Sequence, residues 1–96
     1  MYAVVAMYKL ESGHYDEMHT IATDAPSKLK ELKGFLSAVF YSDSDQNEFG
    51  ATTIWENKES YQSYIDSVPD VVEKIMAWSR EPAEVKIYDV NNYYSV

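Results

Sequence analysis

Three aromatic side chains gather at one point of this 96-residue chain: Trp55, Tyr61 and Tyr64, within the stretch ATTIWENKESYQSYIDS from Ala51 to Ser67. Aromatic rings can stack on a flat substrate, and a phenol hydroxyl can orient that substrate or pass it a proton. Large aromatics are also ordinary core material, and by that reading Trp55 pins a strand onto the following helix. A second cluster is HYDEMH, from His14 to His19. On a helix, positions five apart lie about 140° apart around the axis, so the two imidazoles do not converge on one metal. Asp16 and His19 are three apart and can share a face, which would let the carboxylate orient His19 as a base. Otherwise the cluster is a solvated helix face. Asp43, Asp45 and Asn47 begin like a calcium loop, but Glu48 replaces the turn glycine and Ile54 the bidentate glutamate, so an acidic hairpin tip is expected. The candidate site is therefore His19 and Tyr61 as catalytic groups with Trp55 and Tyr64 as substrate-binding groups, and no metal.

The elements that must position these groups can be read from periodicity. Tyr2 to Leu10 is apolar and β-branched without alternation, so it is a strand with both faces covered: Tyr2, Val4, Ala6 and Tyr8 on one side, Ala3, Val5 and Met7 on the other. Tyr15, Met18, Ala22, Ala25, Leu29 and Leu32 then recur at helical spacing. Pro26 is expected to break or kink that helix, with Asp24 capping a second segment that runs to about Lys33, where Gly34 stops it. Phe35–Ser42 and Glu48–Trp55 read as a hairpin joined by DSDQN. Asn57 should cap a short helix to about Asp66, and Ser67 with Asp70 should cap a further one ended by Glu81 and Pro82. Ala83 to about Asn91 is the last strand. This order predicts an α+β, ferredoxin-like βαββαβ fold with a four-stranded antiparallel sheet carrying its helices on one face. The other face is apolar, which predicts that a second copy of the chain covers it as a homodimer.

Composition narrows the function classes. The length allows one domain, residues 1–96, and a chain this short buries a modest share of its surface. Cysteine is absent, so no disulfide or thiolate metal site reinforces it. Eight Lys and Arg against sixteen Asp and Glu give a net charge of -8, which repels nucleic acid and anionic lipid. The start, MYAVVAMYK, lacks the layout of a signal peptide, and no segment is long enough to span a bilayer. A cytoplasmic protein with no nucleic-acid or membrane partner is expected.

The strand that precedes Gly13, the Gly34–Phe35 opening of the second strand, the third strand closing on Trp55 and the aromatic Tyr61 six residues later resemble the dimeric α+β barrel superfamily. Within it they resemble the antibiotic-biosynthesis-monooxygenase-like domains, over nearly the whole chain. The resemblance implies two sheets closing into a barrel and a pocket in each subunit between sheet and helices. It also implies an apolar or aromatic small-molecule ligand, and some such proteins oxidise polycyclic aromatics with molecular oxygen and no metal or flavin cofactor. In those oxygenases the tryptophan is accompanied by an asparagine four residues earlier and a tyrosine six residues later. Trp55 and Tyr61 match, whereas the asparagine position is Ala51. The haem-degrading relatives are a poorer likeness: Ala6 or Met7, Tyr64 and Lys74 stand at their functional positions, and no histidine follows His19. Non-catalytic binding or dimerisation is the alternative function.

Overall fold

The computed structural model describes residues 1–95. Its elements are β1 (Tyr2–Lys9), α1 (Tyr15–Leu29), β2 (Phe35–Asp43), β3 (Glu48–Trp55), α2 (Lys58–Ser67), α3 (Pro69–Trp78) and β4 (Glu84–Asp89). The strands form one antiparallel sheet in the order β2-β3-β1-β4, the ferredoxin-like arrangement. Val4 pairs with Thr53, Ala6 with Ala51 and Tyr8 with Phe49, so the strand face read from the sequence is continuous across β1 and β3. Residues of all three helices pack over that face.

Local chemistry sets the junctions. The hairpin tip turns because Asp43 Oδ1 accepts the Asp45 amide at 3.0 Å and Asn47 takes a left-handed φ of 53°. Asn57 caps α2 by accepting both the amide and the hydroxyl of Ser60 at 2.8 Å. Gly34, at φ +86°, lies against that cap: a Cβ there would collide with the Ser60 side chain, while the Gly34 carbonyl accepts the Glu56 amide at 2.8 Å. One glycine thus lets the start of β2 and the start of α2 touch.

Three expectations about the helices need correction. Pro26 neither breaks α1 nor starts a new segment, and the Asp24 carbonyl accepts a bond from Ser27 Oγ at 2.7 Å instead of its side chain acting as a cap. An interior proline costs about 3 kcal/mol. Ala25 and Leu29, buried on either side of it, hold the last turn against the sheet and offset that cost. The helix therefore ends at Leu29, and the lysine-rich remainder makes turns (Leu32 N to Leu29 O, 3.0 Å) rather than continuing to Lys33. Ser67 is not a cap either: its hydroxyl donates to the Tyr64 carbonyl at 2.6 Å, and α3 opens with Pro69 in its first turn. The last strand is shorter than expected, Glu84–Asp89.

The core under the helices is split. One cluster joins Val4, Ala25, Leu29 and Trp55, with Tyr61 and Tyr64 packed against it. The other joins Leu10, Met18 and Phe49, with Tyr8, Ile75 and Trp78 against it. Arg80 ties the second end together, donating to the Leu10 carbonyl at 2.6 Å and the Gln46 carbonyl at 3.0 Å. On the opposite face of the sheet Val39, Tyr41 and Tyr88 are exposed, and the Tyr41 hydroxyl lies 2.9 Å from Thr52 Oγ1. Among the described residues no helix is long and apolar enough to cross a membrane.

Candidate functional site

Capping at Asn57 fixes where α2 begins, and residues three apart on it share a face, so Tyr61 and Tyr64 both lean onto Trp55. Their ring centroids each lie 5.9 Å from that of Trp55, and Phe35 adds a third ring at 5.4 Å. Trp55 is wholly buried and its indole N–H donates to Thr53 Oγ1 at 2.7 Å, which satisfies its one polar atom. It holds the two tyrosines in place and lines neither of the two spaces described next.

The first space is an inner cavity of about 90 Å³ between the sheet and the helices, bordered by both core clusters: Val4, Ala25 and Leu29 from one, Met18 and Phe49 from the other. Small residues make the room, since Ala6 and Ala51 on the strands line it together with Ala22 and Ala25 on α1. The second space is an outer groove of about 600 Å³ between α2, α3 and β4, walled by Ile65, Val72, Met76 and Val85 and ending at Arg80 and Glu81. Tyr8, Tyr61, Ile65 and Ile75 line both spaces and form the partition between them. Tyr64 lines the inner cavity alone.

Three phenols here resist ionisation more than a free phenol does. Burial, and then the neighbouring Tyr61 and Tyr64 phenols, push Tyr8 up to about 12 from the usual 10. Burial also raises Tyr61, with Tyr64 adding to it, and burial alone raises Tyr64. At neutral pH each is an O–H group able to donate a hydrogen bond, not a phenolate base. Glu81 is the carboxylate of the groove lining, at the rim, 3.4 Å from Lys9 Nζ.

His19 lies elsewhere. It is exposed on α1, its ring 6.1 Å from that of Tyr15, and it borders a separate depression between α1 and β2 with Pro26 and Val39. The imidazole–carboxylate bond of this segment is His14 Nδ1 to Glu17 Oε1, at 3.0 Å, and His14 also stacks on Trp78 with centroids 5.3 Å apart. The structure therefore brings Trp55, Tyr61 and Tyr64 together and leaves His19 apart from them. It adds Tyr8, which the sequence placed on the right strand face without marking it as a site residue. The signal was its register: two places beyond Ala6, it reaches past a small residue into the space beneath the helices. Among the described residues no three His, Cys, Asp or Glu gather as a metal site.

Solved structures share this architecture. Rv0793 from Mycobacterium tuberculosis is 12% identical, with a TM-score of 0.85 over 98% of each chain. SnoaB from Streptomyces nogalater, a cofactor-independent oxygenase, is 13% identical with a TM-score of 0.77 over 96% of this chain and 94% of its own. The monooxygenase from the gene ActVA-Orf6 of Streptomyces coelicolor, in complex with nanaomycin D, is 16% identical with a TM-score of 0.73 over 99% of this chain and 91% of its own. No curated protein matches the chain by sequence. The family model for antibiotic biosynthesis monooxygenase matches residues 1–71, from β1 into the first turn of α3, and the chain belongs to that family.

Proposed function

We propose that this protein binds a planar aromatic metabolite in the outer groove, against Tyr8 and Tyr61, and oxygenates it with molecular oxygen and no metal or flavin. The observation that carries this reading is an apolar groove of ligand size, about 600 Å³, with the partly buried phenols of Tyr8 and Tyr61 on its inner wall. The family and the two Streptomyces oxygenases of the same fold support it.

The chemistry follows from what the groove contains. Without an external reductant the substrate must supply all four electrons that dioxygen takes up. A ring methylene does so: CH₂ plus O₂ gives C=O plus water. Loss of one methylene proton puts negative charge on a conjugated oxygen of the substrate, and Tyr61 and Tyr8 donate hydrogen bonds to that oxygen. In this scheme Glu81, the carboxylate of the lining, takes the proton. Trp55 and Tyr64 act from behind, fixing the Tyr61 ring. His19 has no part in this scheme.

The same reading gives a homodimer. The exposed Val39, Tyr41 and Tyr88 lie on the sheet face away from the helices, and a second copy placed there forms the family's barrel. Val39→Glu should convert the dimer to monomer in sedimentation velocity, and a wild-type monomer at micromolar concentration would reject the dimer.

Oxygen uptake with a panel of polycyclic aromatic compounds that carry a ring methylene conjugated to a carbonyl tests the activity. Tyr61→Phe should lower turnover roughly 10- to 100-fold, the loss of one hydrogen bond to a charged oxygen, while leaving the melting temperature within a few degrees. An unchanged rate removes Tyr61 from the chemistry. A second reading, binding without turnover, is favoured by Ala51, which stands where the oxygenases carry asparagine; retained ligand without oxygen uptake would decide for it.

A further inference from the structure

We propose that the inner cavity is a dioxygen site, a compartment distinct from the aromatic-binding groove and separated from it by the Tyr8–Tyr61 partition; this rests on the oxygenase reading above. Size sets the two spaces apart. The inner cavity, about 90 Å³, is smaller than the roughly 150 Å³ apolar cavity that accommodates benzene, whereas the groove, about 600 Å³, is several times larger. Its walls are mostly apolar side chains, the buried Val4, Met18, Leu29 and Phe49 among them, and the polar groups of the lining are the Thr53 hydroxyl and the phenols of Tyr8, Tyr61 and Tyr64. A water molecule needs two to four polar partners in such a place. One of the available groups, Thr53 Oγ1, already accepts the Trp55 indole N–H at 2.7 Å. An apolar diatomic loses nothing by leaving water for such a lining.

Position makes the cavity useful. Tyr8, Tyr61, Ile65 and Ile75 touch both spaces, so a molecule in the inner cavity is one side-chain layer from a ring lying in the groove. The void also lies where the two core clusters fail to meet, at the alanines of β1, β3 and α1. A leucine at any of these alanines would close it, so the small residues there are the specificity element of the proposed site.

Dioxygen is paramagnetic, and this gives a direct test on the intact protein. In methyl NMR spectra recorded under oxygen pressure, the signals of Val4, Met18 and Leu29 should broaden more than those of the groove residues Val72 and Val85, although the first three are far more deeply buried. Xenon under pressure should shift the same inner methyls and saturate. Broadening that merely follows solvent exposure, or xenon shifts confined to the groove, would overturn the proposal. Ala25→Val, with Ala51→Val as the second variant should the first fail to fold, should abolish the inner broadening. It should also raise the oxygen concentration for half-maximal turnover severalfold, with half-saturation by the aromatic substrate unmoved. Lost broadening with an unchanged oxygen dependence would also overturn it. If no aromatic compound is turned over, the oxygenase reading fails, and the NMR experiment still decides whether the cavity takes the gas.

Discussion

β3 and β4 flank the same central strand, yet their environments differ completely. On β3 three of the four residues that face the helices, Phe49, Thr53 and Trp55, are buried, and Trp55 and Phe49 each belong to one of the two core clusters. On β4 the residues that continue that face, Val85 opposite Ala6 and Ile87 opposite Val4, are 45% and 43% exposed. The helices are wide enough for β2, β3 and β1 and stop short of the fourth strand. What they leave uncovered is the groove. A strand under the helices supplies stability, and a strand beyond their edge supplies a wall of the groove.

Substitutions should show that division. Trp55→Ala removes the largest wholly buried side chain and leaves Tyr61, Tyr64 and Phe35 without their common support; a loss of about 3–5 kcal/mol is expected in chemical denaturation. A loss below about 1 kcal/mol would mean that the Trp55 end is not the main core. Alkaline pH is the next largest effect. Because the Tyr8 phenol titrates near 12 when folded and near 10 when unfolded, the unfolded chain holds fewer protons in that interval. The contribution of Tyr8 to stability is therefore constant below about pH 10 and falls as pH rises from about 10 to about 12, by up to roughly 2–3 kcal/mol. Tyr8→Phe should flatten most of that decline; an equally steep decline would place the effect in other groups. Val85→Ala should change stability by less than about 0.5 kcal/mol, because the side chain is half exposed. It should nevertheless weaken aromatic binding in the groove by a few fold, measured by fluorescence titration. A large stability loss at Val85 would erase the distinction between the two strands.

Much of this fold was legible in the sequence because strand and helix periods are local properties. The alternation in Phe49, Ala51, Thr53 and Trp55 placed those four on one face, and Asn57 marked the start of α2 through a bond to a residue three positions on. Pro26 misled because its local cost was visible and the burial of Leu29 that offsets it was not. Ser67 misled for a similar reason: a serine before a helix can serve its own backbone, and here its hydroxyl reaches back to the Tyr64 carbonyl. At the candidate site, Trp55, Tyr61 and Tyr64 were readable as a unit because they are neighbours in sequence. Tyr8 was not, because the phenols it joins there, Tyr61 and Tyr64, belong to a helix far along the chain. His19 seemed to belong because it is titratable, yet α1 turns it toward solvent on another side of the molecule.

Local patterning in the chain was enough to settle the order of strands and helices, the apolar character of both sheet faces and the aromatic junction at Trp55, all of which follow from residues within a few positions of one another. Packing between distant segments was needed to keep Pro26 inside a helix, to bring Tyr8 to Tyr61 and Tyr64, and to divide the space beneath the helices into a small cavity and a wide groove. Those outcomes depend on how far the helical layer reaches across the sheet. That reach is a property of the assembled core, and no run of neighbouring residues encodes it.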